Sequence, residues 1–357
     1  MLKMTPRENL LSLYRRRGYE YAPAYACLCP EQERVFFEKT GKRDVCEFYP
    51  VPFRNISNMK MLGAERSEWM KYYSGGLKEG ARISAWGVAH ESGNSADSKH
   101  FTHMRHPLAG DITMDDLVSY PFPKLTDYNK ELQREEALEI KGAGLAVCGS
   151  NECTIWETAW YMRGMEDLMV DMLTGDEKAA FLLDTVTDTA VKKVEAFARA
   201  GVDILQLGDD IGTQHSIMMS VELYREWLKP RLAKVIKAAK EINPDILVQY
   251  HSCGYVEPFI NDLIDVGVDI LNPVQPESMR FKDIFEKYGD RLSFNGTLGT
   301  QTTMPFGTPE DVRKSVFEAL DIAGEKGGLF CCPTHVVEPE VPWENIEAYF
   351  AACSEYR

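Results

Sequence analysis

From about residue 143 onward, short apolar runs alternate with longer amphipathic stretches, and this rhythm restricts the fold more than any other feature. The runs are Gly144–Cys148, Asp203–Leu207, Ile246–Tyr250, Val268–Leu271, Leu292–Phe294 and Gly328–Cys332. Between them, helical periodicity covers Trp156–Leu173, Asp176–Ala200, Val221–Ile242, Glu257–Val266 and Pro309–Gly324. A run that is apolar throughout, not at every second residue, belongs to a strand covered on both faces. Strands of this kind, separated by helices, form parallel βαβ units. A seventh strand is expected at Ala81–Trp86, and an eighth at either Ala24–Leu28 or Val45–Tyr49. Eight units close a (β/α)8 TIM barrel. The expectation is therefore one domain over residues 1–357, with a barrel core at 81–350 and an N-terminal helical and loop extension over 1–80. The rival is a doubly wound open sheet, but that fold carries phosphate-loop glycines after its first strand, and none stand here. Thr5-Pro6-Arg7-Glu8 reads as a capping box opening a first helix. Residues 50–140, rich in Gly, Ser, His and Pro, read as loops and short helices laid over the barrel.

The net charge of −15 weighs against nucleic-acid or anionic-membrane partners, which call for clustered Lys and Arg. No run approaches the ~18 apolar residues of a membrane span, and no apolar leader follows Met1. The expectation is a cytoplasmic protein. Its nine Cys, an odd number, then stand as reduced thiols and not as a disulfide framework.

Barrel enzymes keep their chemistry just past the C-terminal ends of the strands. Four ends are loaded with polar groups: Gln206–Gln214, Gln249–Gly254, Asn272–Pro276 and Cys331–His335. Residues two apart in extended chain face the same side, so His251 and Cys253 offer an imidazole and a thiolate together, a suitable start for a zinc site. Cys332, Cys331 or His335 would complete it from across the mouth. The plainer alternative is a small buried Cys beside a His bonded to a carbonyl. Asp209 and Asp210 form a carboxylate pair suited to metal binding or acid–base work. One of them is expected to cap or bind backbone and the other to face the mouth, with Asp209 favoured as the one facing it. Gln214 and Gln275 join them as candidate catalytic groups. Trp156, Trp160, Met162, Met218 and Met219 could line a pocket or simply fill the core. His90, His100, His103 and His106 read as solvated loop residues.

Taken in order, several blocks resemble the uroporphyrinogen decarboxylase superfamily. They are Asp209-Asp-Ile-Gly-Thr-Gln214 with Tyr224-Arg-Glu and Lys229-Pro230, then His251-Ser-Cys-Gly254 with Val268-Asp-Ile-Leu-Asn-Pro-Val-Gln-Pro276. Pro305-Phe-Gly-Thr-Pro309, Gly327-Gly328, Pro333-Thr-His335 and Pro342-Trp-Glu-Asn345 complete the set. The likeness runs over roughly residues 80–350 and implies a barrel with one of two activities. One is metal-free decarboxylation of uroporphyrinogen III. Its substrate motif of the form Arg-Gln-x-Gly-Arg-Tyr has no counterpart beyond Arg15-Arg-Arg-Gly18-Tyr19, which falls in the first helix. The other is zinc-dependent methyl transfer of the methylcobamide–coenzyme M type, whose His-x-Cys matches His251 and Cys253. The resemblance thus implies a zinc methyltransferase acting on a small methyl donor or acceptor, with corrinoid (cobalamin) carried by a separate binding protein. Those methyltransferases add a Cys near the C-terminal end. Counted back from Pro342-x-Glu344-Asn345, its place falls on His335; counted by strand, it falls on Cys332. A homodimer is the expected assembly. A non-catalytic small-molecule-binding barrel is the reading from a different class.

Overall fold

The computed structural model describes residues 3–92, 102–126 and 130–356. His100 lies outside them. Seven parallel strands form one curled sheet in sequence order: β1 Phe53–Asn55, β2 Ala146–Glu152, β3 Ile204–Gly208, β4 Leu247–His251, β5 Ile270–Asn272, β6 Ser293–Asn295 and β7 Leu329–Phe330. Helices α1 Pro6–Tyr14, α2 Trp156–Arg163, α3 Glu177–Ala200, α4 Lys229–Ile242, α5 Pro309–Ala323 and α6 Trp343–Glu355 are among those that surround it. This is a TIM-barrel-like α/β fold. Val147, Leu205, Leu207, Val248, Ile270, Leu271 and Phe294 are fully buried in the strands. Opposite them, α3 buries Leu183, Val186, Ala190, Val194 and Phe197, at the three- and four-residue spacing of one helical face. Asp176 caps this helix and Gly201 ends it in the left-handed region.

Among the described residues, the six strands read from residue 143 onward all appear, but the first part of the chain differs from expectation. Ala81–Trp86 is no barrel strand. The chain turns at Ser84–Gly87, where Gly87 takes φ +82° and Ser84 N–H bonds the Val88 carbonyl at 2.9 Å. Arg82–Ile83 instead starts a three-stranded antiparallel side sheet with Ala89–Ser92 and Thr102–Arg105. The barrel strand is β1, paired Phe53↔Ala146 and Asn55↔Cys148. Its three residues include Arg54 and Asn55, too short and too polar to register as a buried strand. Val45–Phe48 is a helical turn capped by Asp44. Ala24–Leu28 runs at the barrel seam without a ladder. Leu28 bridges Val337 in parallel, and the Tyr25 ring meets the Phe53 ring edge-on with centroids 5.0 Å apart.

Register sets the level of the strand ends. Glu152 pairs with Gly208, Gly208 with His251, and Asn272 with His251. Four strands thus end in one rank across the mouth. At the opposite end, Asp203 receives two hydrogen bonds from Arg7, at 2.9 and 2.7 Å, which tie α1 to the barrel floor. Arg16 donates to Ser293, at the start of β6, and Arg15 to the Asp245 carbonyl before β4. The Arg15–Arg17 block therefore sits at the floor, away from the mouth. No helix among the described residues is long and apolar enough to cross a membrane.

Candidate metal centre

His251 ends β4, Cys253 follows two residues later, and His335 arrives from the segment after β7. One donor atom from each lies within 4.8 Å of the others. His251 Nε2 is 3.5 Å from Cys253 Sγ, and the two imidazole centroids are 6.2 Å apart. His251 and His335 stand in the wall of a cavity of about 300 Å³ at the barrel mouth. Gly208, opposite His251 in the register, permits this approach. A Cβ there would fall 2.6 Å from His251 Cβ.

The amides behind His251 decide which of its nitrogens faces the cluster. Asn272 Nδ2 donates to both the carbonyl and Oδ1 of Asn295, each at 2.9 Å. Its own Oδ1 therefore points to His251 Nδ1, 2.6 Å away, and accepts that nitrogen's proton. Once the ring loses its second proton, the lone pair therefore falls on Nε2, toward Cys253, as in metal sites whose outer hydrogen bond fixes the ligand tautomer. Removing that bond should be costly to any ion held there: with Asn272→Ala, a divalent ion is expected to bind roughly 10–100-fold more weakly while the chain stays folded, by competition with a chromophoric chelator.

Cys332 lines the same cavity but plays a different part. Its thiol donates to Asn295 Oδ1 at 3.2 Å, and burial pushes its pKa up, both of which keep it protonated. Cys331 is buried beneath, near Thr297. Of the candidates for a third donor, His335 joins His251 and Cys253, whereas Cys332 stands behind the amide network.

The two aspartates divide in the reverse of the favoured order. Asp209 is 3% exposed and accepts the Ile155 N–H at 3.0 Å and the Glu157 N–H at 2.9 Å, so it caps α2 from a neighbouring strand end. Gly208 fixes the strand end, but the next side chain turns back toward α2. Asp210 faces the cluster, with Oδ1 3.8 Å from His251 Nε2 and 2.7 Å from the Cys253 N–H it accepts. Behind it lies Glu157, a residue the sequence did not single out. Glu157 accepts from Tyr161 Oη at 2.6 Å and from the Asp210 N–H at 3.2 Å, and burial raises its pKa. Gln275 and Gln214 lie along the rim and outside the cluster. Gln275 accepts the Gly254 N–H at 3.0 Å and donates to Gln214 at 3.3 Å. Trp156, Met162 and Met219 are core residues. His90 and His103 stand in the side sheet, and His106 bonds the Tyr161 carbonyl.

Burial opposes charge on His251. The bond and charge of Cys253, the nearby Asp210 and the Asn272 oxygen outweigh it and hold the pKa up at about 10. A metal must displace that proton. Uptake of a divalent ion at His251 below pH 10 is therefore expected to release protons, and its affinity to fall as pH drops. Titrations in buffers of different ionisation enthalpy would count the protons.

A family model described as uroporphyrinogen decarboxylase (URO-D) matches residues 142–356, more than half of the chain. The chain belongs to the uroporphyrinogen decarboxylase family. Family relatives with named activities fall on both sides. A methylated-thiol–coenzyme M methyltransferase of Methanosarcina mazei is 30% identical over 202 residues, 55% of this chain and 50% of that protein. A methylcobamide:CoM methyltransferase of Methanosarcina barkeri is 26% identical over 175 residues, 49% and 48% of the two chains. A uroporphyrinogen decarboxylase of a Geobacillus species is 26% identical over 186 residues, 51% and 49%. The chain spans about half the length of the curated relatives it matches. A solved methyltransferase from Methanosarcina mazei superposes over 99% of both chains with a TM-score of 0.67 at 17% identity, which shows a shared fold.

Proposed function

We propose that this chain is a zinc-dependent methyltransferase that moves a methyl group between a small methylated substrate or thiol and a corrinoid held by a partner protein. The observation that carries the reading is the donor set itself. Two imidazoles and a thiol converge within 4.8 Å, and an amide pair holds one imidazole in the metal-binding tautomer. A purely structural His and Cys would have no need of that orientation. Borderline nitrogen and soft sulfur donors suit zinc, and three protein ligands leave a fourth position for substrate. His251 Nε2, Cys253 Sγ and a His335 ring nitrogen would hold the ion. Asp210, through the Cys253 N–H, fixes the thiol-bearing turn, and Asn272 fixes the imidazole. When bound, zinc would lower the pKa of a substrate thiol or polarise the heteroatom carrying the methyl group. The methyltransferase names among the relatives support this reading, and so does the placement of the Arg15–Arg17 block at the barrel floor, remote from any mouth-bound polycarboxylate.

The test is turnover of methylcobalamin with small thiols, followed optically, using zinc-loaded wild type and chelator-stripped protein. Zinc-dependent loss of the methyl–cobalt bond with formation of the methyl thioether is the expected outcome. Uroporphyrinogen decarboxylation without any such methyl transfer would overturn the reading.

A further inference from the structure

The walls of the mouth cavity speak to the charge of what enters it. Apart from His251 and His335, they consist of amides, small polar groups, aromatic rings, the thiols of Cys27 and Cys332, two small apolar residues and one carboxylate, and among the described residues no Lys or Arg lines them. Gln206 and Gln249 offer neutral amides from β3 and β4, and Tyr25 and Phe53 offer ring surface. The one carboxylate on the wall is Glu152, exposed at the end of β2 and level with His251 through the strand register. Arg54, next to Phe53, points away and is spent on the carbonyls of Cys46, Val51 and Phe53. Lys193 shares Glu152 as a neighbour, but in a separate cavity of about 100 Å³, where it makes no ion pair among the described residues. An anionic head in this mouth would lose water, find no Lys or Arg among the described wall residues, and meet Glu152. An ammonium would meet a carboxylate and two ring faces.

Resting on the methyl-transfer reading, we infer that the substrate is a small methyl donor or acceptor with an uncharged or cationic head and no sulfonate, carboxylate or phosphate group. This sets the chain apart from relatives named for coenzyme M, which is a thiol sulfonate.

Four thiols of similar size test the inference by calorimetric titration of zinc-loaded protein: thiocholine (cationic), 2-mercaptoethanol (uncharged), 3-mercaptopropionate and 2-mercaptoethanesulfonate (both anionic). After correction for each thiol's own ionisation, thiocholine and mercaptoethanol are expected to bind at least about tenfold tighter than either anion. Glu152→Gln is expected to cut the advantage of thiocholine over mercaptoethanol by roughly threefold, the effect of one exposed charge. Tightest binding by the sulfonate, or an undiminished thiocholine advantage in Glu152→Gln, would overturn the charge assignment while leaving the zinc reading in place. Failure of zinc-loaded protein to bind any of the four would remove the methyl-transfer reading, and this inference with it.

Discussion

On the proposed zinc reading, Cys253→Ala should strip the protein of metal. Elemental mass spectrometry is expected to find about one zinc per wild-type chain and almost none in the variant. The magnitude follows from sharing a typical structural-zinc binding energy of about 10–16 kcal/mol among three ligands, which gives roughly 3–5 kcal/mol for each, or about two to four orders of magnitude in affinity. The paired control is Cys332→Ala. Its thiol already donates to Asn295 and stands outside the three-donor cluster, so zinc should be retained. Should Cys332→Ala lose zinc as completely while His335→Ala keeps it, the donor set is His251, Cys253 and Cys332 instead. The comparison therefore settles the third ligand as well as the metal.

Asp209→Ala should be among the most destabilising single changes at the mouth, by about 3 kcal/mol in the denaturant midpoint analysis. The carboxyl is buried and receives the first N–H groups of α2, which no side chain of that helix caps. Truncation leaves those donors buried without an acceptor and opens a void between β3 and α2. Burial and the charge of Glu157 push the Asp209 pKa up, so a neutral acceptor should serve nearly as well. Asp209→Asn is accordingly expected to recover most of the loss. Equal damage from Asn and Ala would mean that the negative charge itself is needed, and a loss below about 1 kcal/mol would deny Asp209 its capping part.

The later strands were legible because each is a short, mainly apolar run that no helix pattern overlaps. β1 was not, because three residues carrying Arg54 and Asn55 look like loop until Ala146–Cys148 is there to pair with them. Ala81–Trp86 misled for the opposite reason. It is apolar enough for a strand, yet the turn at Gly87 depends on a left-handed backbone that a hydropathy pattern does not show. At the site, spacing alone placed His251 and Cys253 on one face. It could not choose between Cys332 and His335, since that choice depends on where the chain goes after β7. Nor could it sort Asp209 from Asp210: neighbouring carboxylates are alike in sequence, and only the position of α2 decides which is claimed as a cap. Asn272 was visible merely as a polar residue at a strand end, and Asn295 was not singled out. Their importance lies in a hydrogen-bond direction, which exists only once both amides face each other.

The seam of the barrel gives the cluster a second meaning. Between β7 and β1 the wall is held by the Leu28–Val337 bridge and by ring contact, not by a continuous ladder. His335 stands two residues from that bridge, whereas His251 ends a strand paired on both sides and Cys253 follows it. An ion gripped by all three would work as a clasp, joining the edge of the cylinder that lacks a ladder to a strand that is paired on both sides. Filling the reaction centre and closing the vessel around it would then be a single event.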